Sequence, residues 1–572
     1  MAQYRLNAYD ADVFIPEFKG LYQYGDQMGS DLRFSPDCMN VETPGGVLQP
    51  AAKHKEISVY SDLSHSQLIP TYERACMMAA EITNCYQTAY NGSVIGYRDN
   101  QDYIKVQDVI SSGSKFNLYL LIIGKYAYEI VLNIGQEDQY GDLTYLGHAV
   151  SGISANQIKE FTYEDDWSWC TYEHDFGEGE TGQPSGRTNI LVLNSEKNGT
   201  FIYSKPGDIS ELSVLIPQLK HISRYSERLW GVGTGNDKDT IYYSRAFNIN
   251  DWSPAGQDEQ PEDGGGEIRL ATFDNDKINA LIPFADSLIA FSDQRAWKIT
   301  GSDPSSFYIQ EQYGNGTKYP KTAVVMDERI IMLTNHGLVS YDGNTVSPFL
   351  QEYTHDLFYE RLDYWNGAPP VAVCYGSKYI LALCNKIEQP QPGTIINNGF
   401  ISLVYDKKDG SVTLVDAPLV KDLCRYGDYS FALYSTATTV YIGQLHSDSF
   451  ALQEIVPYGT KWVTPWIDLG RKDIQKGGFE LYFYPELNTD EVGASVTLKF
   501  SIQTEKKTKT KNYVVHSLTE AEKAAGKKYK QKRLHFGGAG RRFRLIIETE
   551  AGNTIPWRLI GGVHIIAETD VD

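Results

Sequence analysis

The feature that most constrains this chain is a rhythm. From about Ser58 to Ile455, short apolar runs alternate with polar turns, and hairpin-like units recur every 40–50 residues or so. Residues 190–204 read ILVLN, an SEKNG turn, then TFIYS, and residues 228–244 read RLWGVG, TGNDKD, TIYYS. INALIPF, LIAFS and AWKI follow between Ile278 and Ile299, and TAVVM, IIMLT and LVSYD between Thr322 and Asp342. AVCYG pairs with YILALC, ISLVYD with SVTLV, and FALYS with TVYIGQL. Each run has strand length and is rich in β-branched and aromatic residues, so the expected class is all-β. Four-stranded blades around an axis give this period, and a ring of blades leaves only short sheet edges. The expectation is a β-propeller of six to eight blades over 51–457, with a pair of stacked sandwiches as the competing architecture. Residues 138–184 fit poorly. Their acidic, aromatic stretch Tyr163–Glu180 is expected as a long loop or an irregular outer strand.

Both ends of the chain depart from the rhythm. Residues 1–50 carry Pro36, Pro44, Gly45 and Gly46, which break any long element, and are expected as an extended arm. Because the arm is too polar for a core of its own, Tyr22, Tyr24 and Phe34 are expected at an intersubunit contact. From 458 to 572, strand-like segments such as Phe479–Tyr484, Val496–Ile502, Arg542–Thr549 and Trp557–Ile566 suggest a β-sandwich. It carries a basic segment, Lys499–Arg533, with 11 Lys and Arg against 3 Asp and Glu. Within that segment Thr519–Gly526 has the pattern of a short capped helix.

Charge divides along the same line. From Gly459 onward there are 19 Lys and Arg against 14 Asp and Glu, and the preceding residues hold 33 against 59. An acidic body argues against tight nucleic-acid binding, which needs cations facing phosphates. Lys506, Lys507, Lys509, Lys511, Lys528, Lys530, Lys532 and Arg533 form the candidate partner-binding loop. Contact with an acidic protein, contact with DNA, and plain solvation all remain open for it.

Motifs for catalysis are missing. The sequence has no GxSxG, HExxH, phosphate loop or dinucleotide fingerprint, and its glycine-dense residues 231–235 lie between two strands. The seven Cys are scattered, with no CxxC and no zinc spacing, so they read as reduced thiols, and neither cofactor nor metal is expected. Carboxylates at Glu164–Asp166, with Trp167, Trp169 and Tyr172 beside them, form a candidate glycan contact. The longest apolar run, Leu118–Ile123, is too short to span a bilayer, and no signal peptide is visible at the start.

Several strings resemble the propeller core of phage tail nozzle or hub proteins, also called packaged-DNA stabilisation proteins. Leu288-Ile289-Ala290-Phe291, Trp297-Ile299-Gly301-Pro304-Phe307 and Leu333-Thr334-Gly337-Tyr341-Asp342-Gly343 match its strand-and-turn pattern. Arg228-Leu229-Trp230 with Ile241–Ser244 and Trp252 match another of its blades, and Ser35-Pro36-Asp37 with Asn40-Val41 and Gly45–Leu48 its arm, where Gln49 replaces an Arg. The resemblance covers roughly residues 20–445 and implies a non-enzymatic virion protein of a tail or neck, made in the host cytoplasm. It implies a ring, six copies by analogy, that connects or closes the DNA-ejection channel. Other tail, neck and portal-adaptor proteins would be its partners, and DNA would pass without specific contact. A receptor- or glycan-binding tail protein is the alternative.

Overall fold

In a computed structural model of the chain, seven four-stranded antiparallel sheets form a β-propeller, and two further sheets form a sandwich. The structure describes residues 3–6, 10–23, 30–51, 55–57, 74–84, 114–134, 150–177, 186–205, 208–212, 216–270, 276–312, 314, 316–357, 369–386, 400–417, 419–426, 429–435, 440–444, 459–470, 472–489, 491 and 493–569.

The first strands of blades 1 to 7 are Ala75–Asn84, Trp167–Asp175, Leu219–Tyr225, Ile278–Phe284, Val324–Met326, Val371–Tyr375 and Leu419–Tyr426. The first strands of blades 1 to 4 lie against one another in turn, as do those of blades 5 to 7, and that of blade 7 returns to that of blade 1, so they line the axis of a closed ring. Blades 4 and 5 meet through Ala280, Phe291, Ile330 and Tyr341. The strands Arg228–Gly233, Ser287–Ser292 and Gly337–Tyr341 are buried along their whole length. Each is covered on one face by the blade before it and on the other by the structure after it, as Leu288 and Ala290 meet blade 3 while Ile289 and Phe291 meet blade 5, which is why these runs are continuously apolar rather than alternating.

Blade 7 is completed by Lys55–Ile57, whose Ile57 pairs with Ile442. A strand from before the propeller therefore closes the ring.

The sandwich draws on both ends of the chain. Its five-stranded sheet orders Gln3–Leu6, Asp10–Ile15, Trp557–Thr569, Lys476–Leu487 and Lys532–Gly540, and its four-stranded sheet orders Lys461–Val463, Phe543–Thr549, Ser495–Thr504 and Thr508–His516. The described part of residues 1–50 is thus an arm packed along its own chain. Its first strands belong to the sandwich, and Phe18, Leu21, Leu32, Cys38, Met39, Val41 and Leu48 are buried in its core, which also takes in Leu333 of blade 5 and Leu381 and Leu414 of blade 6. Enough apolar side chains were present. They are spaced as a strap that touches sandwich and propeller in turn, not as one amphipathic element.

The backbone of the strap is fixed on both sides. Leu21 and Asn40 donate their N–H groups to the Val412 and Leu414 carbonyls of blade 6, and Met39 pairs with Lys461 of the sandwich. At Gly20 the approach is so close that a Cβ would lie 2.0 Å from the Val412 oxygen. Only glycine fits.

The basic segment does contain the expected helix, Glu520–Ala524, with a reciprocal capping box between Thr519 and Glu522.

Candidate functional site

The aromatic residues expected to contact a sugar are mostly core. Within the stretch expected as a long loop or an irregular outer strand, Trp167–Asp175 is the inner strand of blade 2, paired in register with Arg187–Ser195. Trp167 is 3 % exposed and packs against Phe161 and Phe201, and Tyr172 is 0 % exposed with its hydroxyl on the Glu227 carbonyl. Neither ring can stack on a ligand. Trp169 is half-buried beside the same apolar cluster as Trp167. The nearby carboxylates are also engaged: Asp165 accepts from Ser195 and Lys197, and Arg74 bridges Asp165 and Asp166.

Tyr22 and Phe34 stack on each other at 5.4 Å and on Tyr353 of the short helix Gln351–Asp356 at 5.6 and 6.0 Å. Their ordering partner is thus within the same chain. Tyr24 lies outside the described residues.

The basic loop lies at one open edge of the sandwich. The strands Thr508–His516 and Lys532–Gly540 each end their sheet and lie next to each other. Lys509 and Lys511 pair with Ile502 and Phe500, both buried on the inner face, so these two lysines occupy inward positions at the rim. Charges placed so discourage another strand from adding to the edge. Arg533 is ion-paired with Glu480. Lys506, Lys507, Lys509, Lys511, Lys528 and Lys530 are exposed and Lys532 half-buried, and none of the seven makes an ion pair among the described residues.

A second polar concentration sits on the propeller axis. All seven inner strands run the same way, so their first residues open on one mouth of the ring. Asp422 of blade 7 accepts from the Met77 N–H of blade 1 at 2.9 Å. The same carboxylate meets the Lys321 ammonium, just ahead of blade 5, at 3.6 Å. Lys321 belongs to the turn Pro320–Thr322, which packs on the inner strand of blade 6, the neighbour of blade 7. Burial, the largest single effect, would lower the Lys321 pKa; attraction by Asp422, joined by Cys76 and Asp166, together raises it and keeps the lysine charged. Beside it, burial and then the Asp422 charge push the Cys76 thiol well above its ordinary range, so it is no nucleophile.

Three inner strands carry the same irregularity at this mouth. Pairing skips Lys220 between Leu219 and His221, Asn279 between Ile278 and Ala280, and Lys421 between Val420 and Asp422. A β-bulge inserts one residue and re-aims side chains, and bulges gather at functional sites. The sequence reading missed this site. Its signal was present as a repeated start to the inner strand, apolar–polar–any–apolar, in residues 219–222 (LKHI), 278–281 (INAL) and 420–423 (VKDL).

Among the described residues, no group of three or more His, Cys, Asp or Glu is placed to hold a metal ion, and no helix is long and apolar enough to cross a membrane.

No family model matches the chain, and no curated protein matches it. Solved structures similar to parts of it include BamB from Moraxella catarrhalis, at 10% identity and TM-score 0.28, covering 51% of this chain and 87% of that one. The dihydro-heme d1 dehydrogenase NirN is 8% identical with TM-score 0.29, covering 68% and 72%. An exo-beta-1,3-galactanase from Phanerochaete chrysosporium is 9% identical with TM-score 0.20, covering 60% and 94%.

Proposed function

We propose that this chain is a non-catalytic structural protein of a phage tail or neck, a virion component that assembles with its own copies into a ring connecting or closing the DNA-ejection channel. The observation that carries this reading is the edge of lysines on the sandwich, without ion-pair partners among the described residues, set against a body with 33 basic and 59 acidic residues. Opposite charge on two ends of one chain favours head-to-tail contacts between copies, and such contacts close into rings. Six copies are proposed by analogy with the resembling nozzle proteins.

The build of the chain supports a mechanical role. Strap, sandwich and blades 5 and 6 share one apolar core, so force on the sandwich passes into the propeller without a hinge at that junction. DNA would pass through the ring of copies, along acidic walls that repel phosphate and lower friction. The residues that carry the resemblance, such as Phe291, Trp297 and Tyr341, are buried blade residues, so they speak for kinship in packing. The glycan-binding alternative is weakened, because Trp167 and Tyr172 are in the core.

Immunogold labelling of phage particles with an antibody to this chain tests the reading. Label on the tail or neck axis supports it. Particles that assemble and eject DNA without the chain would overturn it.

A further inference from the structure

An antiparallel sheet with one face on a core ordinarily turns a polar face to water. The five-stranded sheet of the sandwich does not. Val13, Leu481 and Ile565 point into the core, and their chain neighbours Phe14, Tyr482 and His564 point out. Register sets these three abreast, since Phe14 pairs with His564 and His564 with Tyr482. Phe14 stands edge-on to His564 at 6.1 Å, and the Tyr482 ring lies 6.0 Å from His564 at an interplanar angle of 33°. The row spans three strands, roughly 10 Å at the usual strand spacing. Phe14 is 41 % exposed, and Tyr484, further along the same face, is 44 % exposed.

Between Tyr482 and Tyr484 the neighbouring strand bulges. Phe483 pairs with Val563 but Tyr484 with Ile560, so Gly561 and Gly562 are extra. Both take a positive φ, 69° and 74°. Gly562 has to be glycine, because a Cβ there would lie 1.8 Å from the Ile15 carbonyl oxygen. Gly561 faces the other way: a Cβ there would meet nothing within 4 Å. Bare backbone beside aromatic rings lets a ligand approach closely, and bulges gather at functional sites.

Charged groups stand among the rings, and each is matched within the chain. Asp12 Oδ2 lies 3.2 Å from His564 Nε2, and Arg558 pairs with Glu486 at 2.7 Å. Glu480 accepts from the Tyr482 hydroxyl at 2.8 Å and pairs with Arg533, whose guanidinium lies 5.8 Å from the Tyr482 ring centroid. The core of a protein–protein interface is depleted of charge, so rings interleaved with ion pairs suit a protein partner poorly. Matched charges also leave no excess cation to hold a polyanion. The face offers flat apolar rings bordered by carboxylate and guanidinium groups. The rings accept the C–H face of a sugar, and the charged groups accept its hydroxyls, which both donate and accept hydrogen bonds.

We propose that the outer face of the five-stranded sheet, with Phe14, Tyr482, Tyr484 and His564 around the open backbone at Gly561, binds a neutral oligosaccharide. The row is longer than one sugar ring, so a short chain of sugars is the ligand. The site lies within one copy of the chain, so it stands or falls separately from ring formation and from the structural role.

The test uses the full-length protein and titration calorimetry with cellohexaose, maltohexaose, chitohexaose and mannohexaose, and with a hyaluronan hexasaccharide as the anionic control. At least one neutral probe should bind saturably and more tightly than hyaluronan, and the one that binds best assigns the sugar. Tyr484→Ala and Phe14→Ala, both at exposed positions, should each weaken that binding roughly tenfold, as loss of a stacked ring does. Tyr308→Ala, at an exposed tyrosine of blade 4, should leave it unchanged. A second readout is made on the unaltered protein: the bound probe should slow nitration of Tyr484 by tetranitromethane, but not that of Tyr308, read by mass spectrometry. The proposal is overturned if no neutral probe binds above hyaluronan, or if binding leaves Tyr484 unprotected or survives both substitutions undiminished. Loss of sedimenting assemblies in Phe14→Ala with sugar binding intact would likewise overturn it, and would give the face to a second copy.

Discussion

The Trp462 indole N–H donates to the Lys19 carbonyl at 3.0 Å, joining the first strand after the propeller to the strap that precedes it, 443 positions away. Phe18 stands edge-on to the same indole at 4.9 Å. The two ends of the chain are therefore one structural unit, and the propeller is held between them.

That relationship sets the first expectation. Removing residues 1–51 takes away two sandwich strands and the strap, so the remaining chain should not keep its fold. The point version is Gly20→Ala, whose Cβ would meet the Val412 oxygen at 2.0 Å and part the strap from blade 6. A loss of about 2 kcal/mol or more is expected in denaturant melts, against about 0.5 kcal/mol for Gly537→Ala, where a Cβ meets nothing within 4 Å.

Arg228 supports a second expectation. This buried guanidinium caps the Ser244, Gly264 and Glu262 carbonyls of blade 3 and so fixes the long connection before that blade's outer strand. Arg228→Leu leaves those carbonyls without their donor, and a loss of about 2–4 kcal/mol is expected by thermal or chemical unfolding. Arg228→Lys should recover little, because one ammonium cannot span three carbonyls in a planar fork.

Acid stability follows from His174. This side chain is 2 % exposed, next to the Phe247 carbonyl and the Ile249 N–H, and burial pushes its pKa down to about 4 from an ordinary 6.5. Folding keeps the ring neutral, so the stabilisation is fully present above pH 6.5, falls as pH drops from 6.5 to 4, and is spent below that. The shift corresponds to about 3 kcal/mol. Equilibrium unfolding between pH 7 and pH 4 should show this slope, and His174→Gln should flatten it while lowering stability at pH 7.

The lysine edge separates solubility from assembly. Lys509→Val with Lys511→Val removes inward charges from an exposed edge strand. Stability should change by less than about 1 kcal/mol while light scattering reports growing aggregates. Lys509→Glu with Lys511→Glu should stay soluble but fail to form rings in sedimentation experiments, because the edge then repels an acidic neighbour.

Most of the propeller was legible because its second and third strands are covered on both faces, and such strands read as unbroken apolar runs. Residues 288–292 and 330–334 are of this kind. What escaped was set by distant partners. Lys532–Gly540 reads as a basic, glycine-containing loop, and only pairing with Lys476–Leu487 makes it a strand. Lys55–Ile57 is too short to declare itself and is defined by Ile442. Trp167 and Tyr172 looked like surface aromatics because acidic residues precede and follow them. Strand alternation instead sends the two rings to opposite faces of blade 2, Trp167 with Phe201 toward Cys76 and Met78 of blade 1, and Tyr172 toward Ile222 and Leu229 of blade 3, so a neighbouring blade covers each. Tyr22 and Phe34 were expected at an intersubunit contact, and within the chain both pack on Tyr353. The axial mouth was invisible because a bulge has no residue signature of its own until the three inner-strand starts are aligned by structure.

The most direct test of the account is a cryo-electron microscopy reconstruction of the purified full-length chain at high concentration. The account predicts a closed ring in which the sandwich edge bearing Lys506, Lys507, Lys509 and Lys511 meets the acidic propeller of the next copy and the lumen is negative. A chain that stays monomeric, or a ring whose lumen is lined by that lysine edge, would contradict it.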